Sequence, residues 1–120
     1  MMLKIKRIYD DYDDEDGYRI LVDRLWPRGM SKEKARLDEW AKEISPSDDL
    51  RKEFHHVPDK FDEFVKKYEL ELKSNPKSEE FIKLIEEKLT KGNVTLLFGA
   101  KDVKMNNAVV LKDLLDKKLK

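Results

Sequence analysis

Two segments of this 120-residue chain combine side chains that are suited to holding an anion. The first loop, residues 23–29, reads Asp-Arg-Leu-Trp-Pro-Arg-Gly, and the second loop, residues 99–107, runs from a glycine to the start of a helical pattern. Arginine binds carboxylate or phosphate through paired hydrogen bonds, and the first N–H groups of a helix attract negative charge. The sequence therefore predicts an anion site formed by Arg24, Trp26, Arg28, Lys101 and Asn106, with Asp23 as the candidate acid, base or arginine orienter.

Both loops directly follow runs of residues that are typical of strands. Tyr18 to Asp23 contains a short apolar run, and Val94 to Phe98 is the most apolar stretch of the chain, as expected for a central strand that is buried on both faces. Leu3 to Tyr9 alternates apolar and polar residues and predicts a further strand. Ligands in open α/β sheets bind outside the carboxyl ends of the strands. If the second and last strands are parallel neighbours, the two loops converge.

Helical patterns separate these strands. Ser31 is a candidate N-cap for a short helix, Ser47 for a second, and Asn106 for the last one, which extends to Leu119. Apolar residues at helical spacing predict two more helices between Pro58 and Gly92, whereas residues 37–45 fit either a helix or a strand. The expected architecture is a single α/β domain, residues 1–120, with a mostly parallel sheet and helices packed on its faces. The helices between residues 47 and 91 would form one long crossover.

Each candidate site residue also has a purely structural interpretation, and the sequence leaves both interpretations open. The two arginines can instead form ion pairs with nearby carboxylates, namely Asp23, Asp38 or Glu39. An indole belongs to a core more often than to a ligand platform, and an asparagine before a helix usually caps it. Lys101 can be solvated surface. His55 and His56 have no third ligand at zinc spacing, so a structural or surface role is expected.

Composition excludes several function classes. The 26 basic and 26 acidic residues balance, which gives no general reason for binding nucleic acid or a membrane surface. The absence of cysteine excludes disulfides and thiolate sites. The chain has no long apolar run and no signal-peptide pattern, so a cytoplasmic location is expected. The acidic stretch from Asp10 to Asp16 does not fit a calcium loop, and no metal or cofactor is expected.

No standard catalytic motif occurs, and the sequence does not decide whether the protein is an enzyme. All six arginines lie within the first 51 residues of a chain that otherwise uses lysine for positive charge. Arginine in that setting indicates positions that need planar, two-pronged hydrogen bonding.

Four blocks that span nearly the whole chain carry a resemblance to a known family. They are residues 17–29, residues 37–47, residues 50–55, and residues 95–102 with Asn106 and residues 108–111. These blocks resemble the YeaO-like family, a domain of unknown function. The resemblance implies a small α/β protein from bacteria or archaea without an established activity. Position 107 is a histidine in some members and Asn107 here, so we assign no acid–base role to it.

Three functional hypotheses follow. The leading one is binding of a small anion, a nucleotide or a phosphorylated metabolite, at the two loops. The second is a nucleic-acid-binding or regulatory module that uses the arginine-rich first half, although the neutral net charge argues against it. The third is a protein-interaction domain, for which Trp26 and Trp40 would have to be exposed anchors.

Overall fold

Four parallel strands form one sheet in the computed structural model, which describes residues 1–119. The order is β1-β4-β2-β3, and every neighbouring pair is parallel. The predicted α/β fold with a mostly parallel sheet is therefore confirmed. The most apolar run lies between β1 and β2 as the central strand, as expected. The strands are β1 Leu3–Arg7, β2 Tyr18–Leu21, β3 Glu39–Trp40 and β4 Val94–Phe98.

Five helices connect and cover these strands. Ser31, Ser47 and Asn106 each accept a hydrogen bond from the backbone N–H three residues further on, so all three act as the predicted N-caps. The ambiguous residues 37–45 contain the two-residue strand β3 and then a 3₁₀ turn, Lys42–Ile44. The helices are α1 Lys32–Ala35, α2 Asp48–Phe54, α3 Phe61–Ser74, α4 Lys77–Leu89 and α5 Asn107–Lys118.

The first face of the sheet carries the main hydrophobic core. Successive strand residues point to opposite faces, so Ile20 and Val22 of one strand share this face with Val94, Leu96 and Phe98 of the next. The apolar stripes of α2 to α5 pack against these side chains. Four helices on one face thus hold β2 and β4 side by side, which fixes the positions of the two loops that follow them.

The second face is covered differently, by α1 and the loop before it. A small apolar cluster lies here around Leu21 and Leu97. Beside it Arg19 is only 1% exposed and Asp16 only 2%, and a guanidinium nitrogen of the arginine lies 2.5 Å from a carboxylate oxygen of the aspartate. The first face of the sheet is therefore covered by a large apolar core, and the second by a smaller apolar cluster with a buried ion pair beside it.

The described residues contain no helix that is both long and apolar enough to cross a membrane. Within residues 1–119, no three histidine, aspartate or glutamate side chains are arranged to hold a metal ion.

Candidate functional site

The two predicted loops meet at the carboxyl edge of the sheet. Asp23, the first residue of the first loop, accepts a hydrogen bond from the backbone N–H of Gly99 (2.8 Å), the first residue of the second. The side-chain amide of Asn107 donates to the other Asp23 carboxylate oxygen (3.1 Å) and to the carbonyl oxygen of Val22 (2.9 Å). One carboxylate thus joins the end of β2, the end of β4 and the start of α5. The expected convergence is confirmed.

A cavity of about 220 Å³ opens beside this carboxylate. It lies between the two loops, the segment before α2, and the helices α2 and α3. Polar and apolar residues line different parts of the wall. The polar part consists of Asp23, Arg24, Arg51, His56 and Asn107, and the apolar part includes Leu25, Pro46, Phe54, Phe64 and Ala100.

Arg24 is fixed in the wall by backbone carbonyls. Its Nε donates to the carbonyl oxygen of Pro46 (2.8 Å) and one of its terminal nitrogens to that of Ser45 (3.3 Å). Within residues 1–119, neither Arg24 nor Arg28 forms a salt bridge. The positive charge of Arg24 therefore stands beside the cavity without a protein carboxylate paired to it.

Arg51 brings a second guanidinium group to the cavity from α2. Its terminal nitrogen Nη2 bonds Asp48 one turn earlier at 3.2 Å, a partly exposed contact of small energetic value. Its Nε is buried and has no hydrogen-bond partner in the part of the chain that the structure describes. Buried polar atoms in folded proteins are nearly always hydrogen-bonded, so this donor calls for an acceptor.

His56 reaches the cavity through an unusual backbone. His55 ends α2 in the left-handed conformation (φ 44°), and His56 also has a positive φ of 54°. Two consecutive non-glycine residues of this kind reverse the chain, and the His56 ring lies 5.5 Å from that of Phe54, centre to centre. Such conformations cost free energy and are concentrated at functional sites. The reversal places an imidazole at the exposed mouth of the cavity.

The environment of Asp23 raises the pKa of its carboxyl group. Burial raises the pKa of the Asp23 carboxyl above its usual value of 3.8, and this effect outweighs the hydrogen bonds from Gly99 and Asn107 and the nearby charges of His56 and Arg51. Its backbone carbonyl also accepts a hydrogen bond from the indole of Trp40 (2.8 Å). Asp23 therefore combines a structural role with a carboxyl group whose pKa is raised by burial.

The Asp23→Asn variant tests the structural part of this role. An amide has one acceptor oxygen, so Gly99 and Asn107 cannot both keep their bonds. In acid, we expect the variant to have a free energy of unfolding about 1–3 kcal/mol lower than that of wild type. The pKa of Asp23 is higher in the folded state than in the unfolded state. Its contribution to stability is therefore complete at pH values below the pKa of the unfolded state, and it falls as the pH rises through the pKa of the folded state. Urea unfolding should therefore show that the difference in free energy of unfolding between wild type and variant decreases from pH 4 to pH 8. An increase in this difference over the same range would contradict the prediction.

Comparison with known proteins places the chain in a family. Residues 2–120 match the family described as the inactive DUF488-N3 subclade, DUF488-N3i. The chain belongs to this family. No solved structure matches it.

Two relatives are similar in sequence to this DUF488-N3i chain over nearly its whole length. Uncharacterized protein YeaO of Escherichia coli (strain K12) is 45% identical over 115 residues, which is 96% of this chain and 97% of the relative. Uncharacterized protein Rv3073c of Mycobacterium tuberculosis (strain ATCC 25618 / H37Rv) is 38% identical over 114 residues, 95% of this chain and 93% of the relative. The resemblance to YeaO-like proteins seen in the sequence is thus confirmed.

The DUF488-N3i structure places the predicted site residues in different surroundings. Asp23 and Arg24 line the cavity, whereas Trp26, Arg28 and Lys101 are not among its lining residues. The Trp26 indole donates to the carbonyl oxygen of Met30 (2.7 Å) and packs edge-to-face on Trp40 at 5.4 Å between ring centres. Both indoles are half-buried with internal partners, a poor geometry for exposed anchors.

The three remaining predictions concern residues on the surface or at a cap. Arg28 and Lys101 are exposed, and the carbonyl oxygen of Arg28 accepts from the Tyr9 hydroxyl at 2.8 Å. Asn106 is buried because its carboxamide is fully used: it caps α5 and donates to the carbonyl oxygen of Asp102 (2.8 Å). The hydrogen bonds of the Asn106 side chain therefore agree with its interpretation as a helix cap.

Sequence reasoning missed three polar residues of the cavity in this DUF488-N3i chain. Arg51 and His56 lie on and after α2, far along the chain from either loop, so strand-end arguments could not place them. Asn107 was assigned no chemical role, yet its amide holds Asp23 in place. The available signal was weak: Arg51 is the last of the arginines, and the histidine pair directly follows a helical pattern.

Proposed function

We propose that the protein binds a small anionic ligand in the cavity between the two loops and α2. The observation that carries this proposal is the pair of guanidinium groups of Arg24 and Arg51 in the wall of one cavity, where Arg24 forms no salt bridge within residues 1–119. A carboxylate or phosphate oxygen is the acceptor that a guanidinium group binds most strongly. A ligand in this position would complete the hydrogen bonding of the site.

The charges of the cavity wall support an anion. Arg24 and Arg51 contribute two fixed positive charges. Asp23 is the one carboxyl group of the wall, and even when it is ionised it balances only one of these charges. The wall therefore has an excess of positive charge in a partly enclosed space, where an ion pair is stronger than at the open surface.

Binding without turnover is the better-supported form of this proposal. The family is described as an inactive subclade. Asn107 also stands against the cavity with an amide that does not titrate and that is already committed to Val22 and Asp23. General acid–base catalysis needs a group that can exchange a proton. Both carboxylate oxygens of Asp23 are already engaged, one by the N–H of Gly99 and one by Asn107.

The test is anion binding by calorimetry, with phosphate and a set of small carboxylates as probes. We expect the Arg51→Met variant to bind at least about tenfold more weakly, since a charge-assisted hydrogen bond is lost. Arg28→Ala is the matched control because it removes the same charge from the same edge of the sheet outside the cavity wall. Its affinity should stay within about twofold of wild type, because only long-range attraction changes.

Two results would contradict the proposal. One is the absence of binding to every anion at concentrations well above those found in cells. The other is an equal loss of affinity in Arg51→Met and Arg28→Ala, which would indicate a general attraction to positive charge and not a site.

A further inference from the structure

We infer that the ligand is a small monocarboxylate with an apolar body, and not a nucleotide or a free phosphate. This inference rests on the proposed anion site and narrows its ligand by size, wall chemistry and available donors. Pockets for drug-sized ligands and cofactors typically measure about 300–1,000 Å³. The cavity here, at about 220 Å³, is smaller than that range. One ring with a short acidic chain is a closer match in size than a base, a ribose and a phosphate together.

The apolar part of the wall favours an apolar body for the ligand. The rings of Phe54 and Phe64 stack on each other and are almost fully buried, at 5% and 3% exposure, so they close the wall behind the more open apolar residues. Pro46 and Ala100 extend this surface, and Leu25 at the mouth is 56% exposed. A large apolar side chain left this open gains most from a ligand that covers it. Inorganic phosphate would leave all of this surface in contact with water.

The donors that remain free favour a carboxylate as the head group. Phosphate sites typically surround the anion with several backbone N–H groups. Here the N–H of Gly99 already bonds Asp23, and two nitrogens of Arg24 already bond carbonyl oxygens. One terminal nitrogen of Arg51 likewise bonds Asp48, so each guanidinium group of the wall keeps only part of its donors for a ligand, which suits a head group with two oxygens in one plane. The Asp23 carboxyl in the same wall would repel a doubly charged phosphate.

The experiment is an NMR titration of the ¹⁵N-labelled full chain with five probes: phenylacetate, acetate, phenyl phosphate, inorganic phosphate and adenosine monophosphate. We expect phenylacetate to bind at least about tenfold more tightly than acetate, because the ring is buried against the apolar part of the wall. It should also bind more tightly than phenyl phosphate. Chemical-shift changes should be largest at Gly99, Ala100 and His56.

A pair of leucine variants tests the apolar contact. Leu25→Ala should weaken phenylacetate binding by about fivefold and leave acetate binding unchanged, because only the ring contacts Leu25. Leu70→Ala is the matched control: Leu70 is 63% exposed on α3 and is not a lining residue of the cavity. It should leave both affinities unchanged.

The outcomes separate this inference from the proposed function. Tighter binding of phenyl phosphate, phosphate or adenosine monophosphate than of phenylacetate would overturn the carboxylate inference and leave the anion site standing. Equal affinities for acetate and phenylacetate, or chemical-shift changes at residues away from the cavity, would overturn the inference that the ligand has an apolar body. No response to any probe would overturn both the inference and the anion site.

Discussion

Replacement of Arg19 by methionine is expected to lower the free energy of unfolding by about 3–5 kcal/mol, because it removes a buried guanidinium group and leaves the buried carboxylate of Asp16 with Lys6 as its one remaining ion-pair partner among the described residues. Arg19 and Asp16 are 1% and 2% exposed, and their charged atoms are 2.5 Å apart. The guanidinium group also donates to the carbonyl oxygens of Ala35 (2.8 Å) and Arg36 (3.2 Å) at the end of α1. The substitution therefore removes an ion pair and detaches α1 from the second face of the sheet.

The pH dependence of stability offers a second measurement of the same pair. Burial alone would raise the pKa of Asp16, but the hydrogen bonds from Lys6, the backbone N–H of Asp13 and Arg19 together hold that pKa below its ordinary value. A carboxyl group with a lowered folded-state pKa stabilises the fold above its unfolded pKa, and this stabilisation is lost as the pH falls through the folded one. Urea unfolding of wild type should show this acid loss, and Asp16→Asn should lack it.

Two controls isolate the buried pair. Lys77→Ala removes an exposed pair, since Lys77 and Glu80 have more than half of each side chain in solvent, and it should cost less than about 1 kcal/mol. The double variant Arg19→Met with Asp16→Leu should be more stable than Arg19→Met alone, because no buried charge remains unpaired. A cost for Arg19→Met no larger than that of Lys77→Ala would show that the pair does not hold the second face.

Local features of this chain were predictable because their causes are local. Apolar runs give the strands, a serine or asparagine before a helical pattern gives the caps of α1, α2 and α5, and parallel strands bring residues 23 and 99 to one edge. The two-residue strand β3 was not separable from a helix, because Glu39 and Trp40 become a strand only by pairing with β2. Tertiary pairing decides such short segments.

The composition of the cavity wall depended on distances that no local pattern contains. Arg51 and His56 arrive from α2, and only the packing of that helix on the first face brings them to Asp23. The prediction that arginines mark positions with planar hydrogen bonding holds for Arg19 and Arg24, but their acceptors are backbone carbonyls and, for Arg19, Asp16 as well. The arginine residue type therefore predicted the geometry of the hydrogen bonds but not whether they bind a ligand or hold the fold together.

The Gly17→Ala variant is expected to lose more than about 3 kcal/mol of stability, because left-handed strain and a backbone collision act together. Gly17 has a φ of 67°, and a Cβ atom added there would lie 2.0 Å from the carbonyl oxygen of Asn93. That same carbonyl accepts the backbone N–H of Tyr18 at 2.9 Å, the contact that begins the pairing of β2 with β4. The collision therefore falls where the register of the sheet is set.

Two other glycines separate the strain from the collision. Gly29 has a φ of 77° with open space around its Cβ position, so Gly29→Ala should cost only about 1–2 kcal/mol. Gly92 has neither a positive φ nor a close neighbour, and Gly92→Ala should raise stability by about 0.4–1 kcal/mol. Urea unfolding of the three variants ranks their losses of stability directly. Equal losses at Gly17 and Gly29 would show that the collision with Asn93 does not contribute to the loss.

Because β2 and β4 in register place Asp23 opposite Gly99, a Gly17→Ala chain that still folds should also lose protection of the Gly99 amide from hydrogen exchange.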